Sequence, residues 1–210
     1  MFPEISTVLL STAFFGPVYY FRSVIKAEKI FIEKHEHFIK QTYRNRCLIL
    51  AANGPLALVV PVEFGRKPGQ KITEIKIAYH TPWQRNHWRS ITSAYRNSPY
   101  FDYYGDGLIQ FFEKKYTFLF DYNKEITQTV TELTGIKMNA EYTSGFEQIE
   151  QPFVNYREKI SPKTKLQIFD PEYKATPYTQ VFEYKFPFIH NLSILDLLFC
   201  TGPEAINYLR

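Results

Sequence analysis

The first 33 residues constrain the fold more than any other stretch. Val8, Leu9 and Leu10 form a continuous apolar run, which reads as a short buried strand over 6–10. Gly16 and Pro17 interrupt it, and Pro17 suits the first turn of a helix because its missing N–H would be unpaired there anyway. Val18, Phe21 and Ile25 then recur at helical spacing and predict a helix to about Lys26. Lys29–Glu33 reads as a second strand. Strand, helix, strand is a βαβ unit, and it predicts a parallel pair, because parallel strands need a crossover rather than a tight turn.

The next segments have a different character. Arg46–Ala51 and Leu56–Val60 are apolar runs separated by Asn53-Gly54, which predicts an antiparallel hairpin with a type I′ turn. Alternation of Thr73, Ile75 and Ile77 with Glu74 and Lys76 predicts a half-buried strand. Pro82–Asn97 predicts a helix with Trp83, Trp88, Ile91, Ala94 and Tyr95 on one face and Arg85, Arg89, Thr92 and Arg96 on the other. Helical spacing continues over Gly107–Leu119, and Asn123 is placed to cap a helix that stops at Gly135. Residues 139–177 lose periodicity, are punctuated by prolines, and keep one strand candidate at Lys165–Phe169. Val181–Phe186 is a further strand candidate. Ser193 and Asp196 have capping-box spacing before a helix through Leu198, and Gly202-Pro203 opens a last short helix. The expected fold is α/β: a mixed sheet with a parallel βαβ start and an antiparallel hairpin, flanked by four to six helices, with α+β as the close alternative. Residues 1–210 read as a single domain, with 139–177 as an irregular, insert-like connection.

Composition narrows function. The 210 residues are 45% hydrophobic and 22% charged, so a packed core rather than disorder is expected. No apolar run reaches the roughly 18 residues of a membrane-spanning helix, and the opening residues lack the basic start of a signal peptide. Cytoplasmic location is the default. Two cysteines, Cys47 and Cys200, make no disulfide framework and read as small core residues. Aromatics reach 18%, which fits either a Phe/Tyr-rich core or a groove that stacks sugar or base rings. The net charge of +4 conceals ten basic against two acidic residues between Lys40 and Tyr100. That block would attract anions. Nucleic acid is disfavoured because no zinc-finger, RNP or KH signature is present. A small anionic ligand fits as well.

Dinucleotide-binding, Walker A, nucleophile-elbow and zincin motifs are all absent from the sequence, and the cofactor is left open. His35 and His37 would share a face if they lay on a strand, but a metal site needs a third ligand and none is identifiable from spacing. His87 sits on the apolar face of the Pro82–Asn97 helix, as a satisfied core histidine or as a general acid or base. Lys40, Arg44 and Arg46 follow the histidine cluster and could hold phosphate or make surface ion pairs.

These stretches together resemble the WbqC-like family, associated with bacterial O-antigen and surface-polysaccharide gene clusters. The resemblance rests on the turn Ser11–Phe21 (STAFFGPVYYF), on Ala27–Lys40 followed by Asn45-Arg46, and on Leu58–Val62 (LVVPV). It rests further on Trp83-x-x-x-His87 with Tyr95 and Ser98–Phe101, on Tyr178-x-Gln180, and on Asn191–Leu198 (NLSILDLL). It covers roughly 1–136 and 176–209. Family members carry paired aspartates where this chain has Lys34 and His35, and a longer, Gly-rich middle that 139–177 replaces. The resemblance implies a role around nucleotide-activated or amino sugars, with acyl or aminoacyl transfer as the reaction. His87 would then be the base, with Lys40, Asn45, Arg46 and Trp83 as ligand-binding residues. A non-catalytic binding or scaffold relative is the alternative, and oligomeric state is open.

Overall fold

The computed structural model describes residues 5–63, 69–163, 170 and 173–210. β1 (Ile5–Leu10), α1 (Val18–Ile25) and β2 (Ala27–Ile32) form the predicted unit, with β1 and β2 parallel in the register Val8↔Ile30. β1 is central in a four-stranded parallel sheet of order β7-β2-β1-β8. Its neighbours at the edges are β7 (Ala140–Tyr142), beside β2, and β8 (Val154–Asn155), beside β1. Val8, Leu9 and Leu10 are all fully buried. A strand inside a parallel sheet is covered on both faces, which is why its apolar run is continuous rather than alternating.

β3 (Arg46–Ala51) and β4 (Gly54–Val59) form the antiparallel hairpin. The turn differs from the expected type I′. Ala51 pairs with Gly54, so Ala52 and Asn53 make the turn, and Gly54 alone takes a positive φ, of 106°. A glycine of positive φ directly after the turn gives the strands the twist that a type I′ turn would otherwise supply. β5 (Val62–Glu63) and β6 (Lys76–Ile77) add a two-stranded ribbon. The strand expected over 73–77 is mostly a 3₁₀ turn, Ile72–Glu74, which buries Ile72 and Ile75 together.

The long helices are α2 (Trp83–Tyr95), α3 (Phe101–Glu113) and α4 (Leu119–Thr134). α2 packs on α3 and β3, as its apolar face requires. α3 starts six residues earlier than its glycines suggested. Gly105 lies where Phe101 and Trp88 close over the helix, so a helix-weakening residue is offset by close packing. α4 starts at Leu119. Asn123 is therefore inside the helix rather than at its cap, fully buried, with its amide donating to the Arg44 carbonyl at 2.7 Å. Gly135 ends α4 as expected. α5 (Ile194–Thr201) is capped by Ser193, whose hydroxyl accepts from the Leu195 N–H, and a 3₁₀ turn at Gly202–Glu204 leads into α6 (Ala205–Leu209).

Two stretches depart from expectation. Val181–Phe186 is a run of turns, held by bonds such as Lys185 N–H to the Phe182 carbonyl, not a strand. Residues 139–163 are largely irregular but supply β7 and β8. The strand expected at Lys165–Phe169 lies outside the described residues. The core gathers Phe14, Phe15, Phe21, Tyr95, Phe111, Tyr122 and Phe199, each buried to within 1%. The aromatic excess is thus mainly core, at about 1.5–3 kcal/mol per fully buried large side chain.

Candidate functional site

Open parallel sheets place ligands outside the carboxyl ends of their strands. Here those ends carry Ser11 and Thr12 after β1, Glu33 after β2, Thr143 after β7 and Tyr156 after β8. Two cavities open there, separated by Tyr20, whose hydroxyl donates to the Ser11 carbonyl at 3.1 Å.

The larger cavity has a volume of about 400 Å³. Thr12 and Ile32 form its sheet side, Tyr20 of α1 its edge and Tyr142 its β7 wall. α4 contributes Phe120, Lys124, Thr127, Gln128, Thr131 and Glu132, with Phe120 also part of the hydrophobic core. The Lys124 ammonium stands 5.6 Å from the Tyr142 ring centre, and that ring packs on Phe120 at 5.7 Å. Lys124 makes no ion pair, and the Thr12 and Thr127 hydroxyls make no hydrogen bond, among the described residues. The cavity thus offers a cation, a carboxylate in Glu132, which accepts from the Gln128 amide at 3.0 Å, an aromatic wall and free hydroxyls.

The smaller cavity, about 10 Å³, holds no more than a water. Its lining is charged and buried. Arg44, 2% exposed, donates from Nε to Glu36 Oε1 at 2.7 Å and from Nη2 to Glu36 Oε2 at 2.6 Å. The same Nη2 donates to Ser11 Oγ at 2.7 Å, and Ser11 donates to Glu36 at 3.2 Å. Arg157 approaches Glu36 at 3.9 Å and pairs with Glu147. Glu33, fully buried, accepts from the His35 N–H, the Thr143 hydroxyl and the Glu147 N–H at 2.7–2.8 Å. Buried charges need such partners. The network ties the loops after β1, β2, β7 and β8 together, and so fixes the rim of the larger cavity.

The predicted site residues lie elsewhere. Lys40 is exposed in the loop after β2. Asn45 is buried and joins Val60 through its amide and its carbonyl. Arg46 opens β3, half-buried, opposite Val59. Trp83 is buried, with its indole N–H donating to the Ala78 carbonyl at 3.0 Å. His87 packs on Trp83 at 5.2 Å and on Phe14 at 6.2 Å. Trp83 and His87 are therefore brought together, and none of the five lines either cavity at the strand ends. Burial lowers the His87 pKa to about 4, and its Nδ1 is buried with no hydrogen-bond partner. The imidazole is neutral at pH 7.

The other candidates resolve individually. His35 bonds the Thr143 carbonyl through Nε2, while His37 is exposed, so the two do not share a strand face. Arg44, grouped in the sequence with Lys40 and Arg46, is the member that reaches the strand ends. Asp196 does not complete a capping box. It is fully buried and accepts from Tyr95, Tyr178 and Gln180 at 2.6–2.9 Å, and burial raises its pKa. Burial also raises both cysteine thiols well above their ordinary range, so neither is a ready nucleophile. Lys124, Thr12, Tyr142, Glu36 and Arg157 gave no sequence signal of their own, apart from the place of Glu36 between two histidines.

The fold and this rim define a class: an α/β protein with a cavity of about 400 Å³ at the carboxyl ends of its parallel strands. A family model described as "WbqC-like protein family" matches residues 12–164 and 156–208, and the chain belongs to that family. The two ranges together take in the whole of 139–177, the stretch the sequence reading set outside the resemblance. The chain is also similar to "Uncharacterized protein Rv1507c" of Mycobacterium tuberculosis (strain ATCC 25618 / H37Rv), at 26% identity over 219 residues and 91% of each chain. No solved structure matches. No helix among the described residues is long and apolar enough to cross a membrane.

Proposed function

We propose that this protein binds a nucleotide-activated or amino sugar in the cavity between α4 and the ends of β1, β2 and β7. Its role is in bacterial surface-polysaccharide synthesis, on the cytoplasmic side, where it transfers an acyl or aminoacyl group to that sugar. One observation carries the reading: free hydroxyls, a ring wall and an unpaired cation line one cavity of about 400 Å³. Thr12 and Thr127 suit sugar hydroxyls, the Tyr142 face suits a sugar or base ring, and Lys124 suits a phosphate as a point charge.

A second arrangement keeps the chemistry at α2, with His87 as base and Lys40, Asn45, Arg46 and Trp83 as ligand contacts. It is favoured by the unpartnered His87 Nδ1 and Asn45 Oδ1. A neutral imidazole there would take the proton released as a sugar amine attacks the acyl carbon and the acyl carrier leaves.

Thermal unfolding against nucleotide sugars, nucleoside diphosphates and acyl-CoA tests both. A ligand at 100 times its dissociation constant adds about 2.7 kcal/mol, or roughly 5–10 °C for a chain of this size. Lys124→Ala is expected to weaken the responding ligand at least tenfold, and His87→Ala to leave its affinity unchanged. The reverse pattern moves the site to α2. No shift with any nucleotide sugar overturns the proposal. Binding without turnover in the presence of acyl donors makes the protein a non-catalytic member.

A further inference from the structure

We propose that the outer face of α2 docks an acidic amphipathic helix of a partner protein. Arg85, Arg89 and Arg96 are all exposed on this face, and none forms an ion pair among the described residues. Two shallow grooves, of about 500 and 390 Å³, meet at Arg89 and Ser93. The first runs between Trp88 and Arg96, and the second reaches the hairpin tip at Ala52, Asn53 and Leu56. No aspartate or glutamate lines either one. A surface with this charge and no internal counter-charge is complementary to carboxylates.

Spacing and polarity select the occupant. Arg89 and Arg96 are two helical turns apart, about 10 Å along the axis, and carboxylates seven residues apart on a second helix repeat that interval. The hairpin end of the groove is apolar: Leu56 is 38% exposed there, beside Ala51 and Ala94. It would take an aliphatic side chain from the same helix face. Single-stranded nucleic acid is the lesser fit, because it gains affinity by stacking bases on free aromatic faces. Trp88, the aromatic residue of these grooves, packs its ring on Phe101 at 5.8 Å and on Phe112 at 5.4 Å.

The probe is a fluorescent synthetic helix with Glu on one face at i, i+3 and i+7 and Leu beside them, followed by anisotropy. The full chain is expected to bind it with an affinity that falls with salt. Arg89→Ser/Arg96→Ser is expected to lose at least roughly tenfold. Ser93→Glu, which sets a carboxylate in the groove, is expected to do the same. Lys137→Ser/Lys159→Ser removes equal charge elsewhere and should retain binding. The proposal is overturned by absence of binding at low salt or by equal loss in the lysine variant. It is equally overturned if an oligo-dT strand binds more tightly through the same arginines. All substituted positions are exposed, and unchanged melting temperatures would confirm folded variants.

Discussion

Replacing Arg44 with Met tests whether the charged network holds the strand ends. Methionine replaces the aliphatic stem and removes the guanidinium. Three hydrogen bonds disappear, two to Glu36 and one to Ser11, all of 2.6–2.7 Å. Glu36 is then a buried carboxylate, 3% exposed, supported by the Ser11 hydroxyl at 3.2 Å and by Arg157 at 3.9 Å. Removing one member of a buried ion pair costs about 3–5 kcal/mol, because the survivor stays desolvated. Arg157 offsets part of that, which places the expected loss near 3 kcal/mol. For a chain of this length the melting temperature should fall by roughly 6–12 °C. Urea unfolding at pH 7 gives the free energy directly, with an unchanged m-value expected.

Arg44→Met/Glu36→Gln removes the stranded charge. The double variant should be less destabilised than the sum of the single ones by about 2 kcal/mol, since groups in contact are not additive. A loss below about 1 kcal/mol in Arg44→Met would refute the reasoning, as would additivity within about 0.5 kcal/mol. Either result would mean that water or another group already satisfies Glu36.

His87 should make stability depend on pH. Burial lowers its pKa from 6.5 to about 4, so between those values the unfolded chain binds the extra proton. Its contribution is full above about pH 6.5 and is lost on acidification toward pH 4, by up to about 1.4 kcal/mol per pH unit. Urea titrations of wild type and His87→Gln should diverge over that range, and parallel curves would show an imidazole that titrates normally. Gly202 has φ of 59° and ψ of −131°, and a Cβ there would stand 2.5 Å from the Tyr100 ring. Gly202→Ala should therefore cost about 2 kcal/mol or more, a fall of roughly 4–8 °C in melting temperature. A Tyr100→Ala background should relieve part of that cost, and equal losses in both backgrounds would leave the backbone alone responsible.

The parallel start and the hairpin were legible because their signals are local. A continuous apolar run, a Gly-Pro break and a crossover-length helix leave few arrangements for β1 and β2. The α2 face was legible for the same reason: one periodicity set Trp83, His87, Trp88, Ile91, Ala94 and Tyr95 inward, and all are buried except Trp88, which is half-buried and reaches an outer groove. The start of α3 was not, because a glycine's intrinsic cost can be read from sequence and its packing on Phe101 and Trp88 cannot. β7 and β8 were missed for a related reason. At three and two residues they show no alternation, and they are strands only through pairing with β2 and β1.

The site was the least legible part, and its chemistry explains this. Its polar groups are matched across distance: Ser11 with Glu36, and Glu33 with Thr143 110 residues away; outside the site, Tyr95 is matched with Asp196 101 residues away. A charge read alone in sequence defaults to the surface, and Ser193 near Asp196 defaults to a helix cap. Burial reverses both defaults only when a remote partner is supplied, because an unpaired buried charge is too costly to keep. The two short edge strands of the parallel sheet deliver much of that supply. β7 brings Tyr142 to the cavity and Thr143 to Glu33, and the turn after β8 brings Arg157 to Glu36. These edge strands come from the 139–163 stretch, where sequence periodicity fades. In this chain the segment with the weakest sequence signal therefore builds one wall of the candidate site, so substitutions there should affect ligand affinity as well as stability.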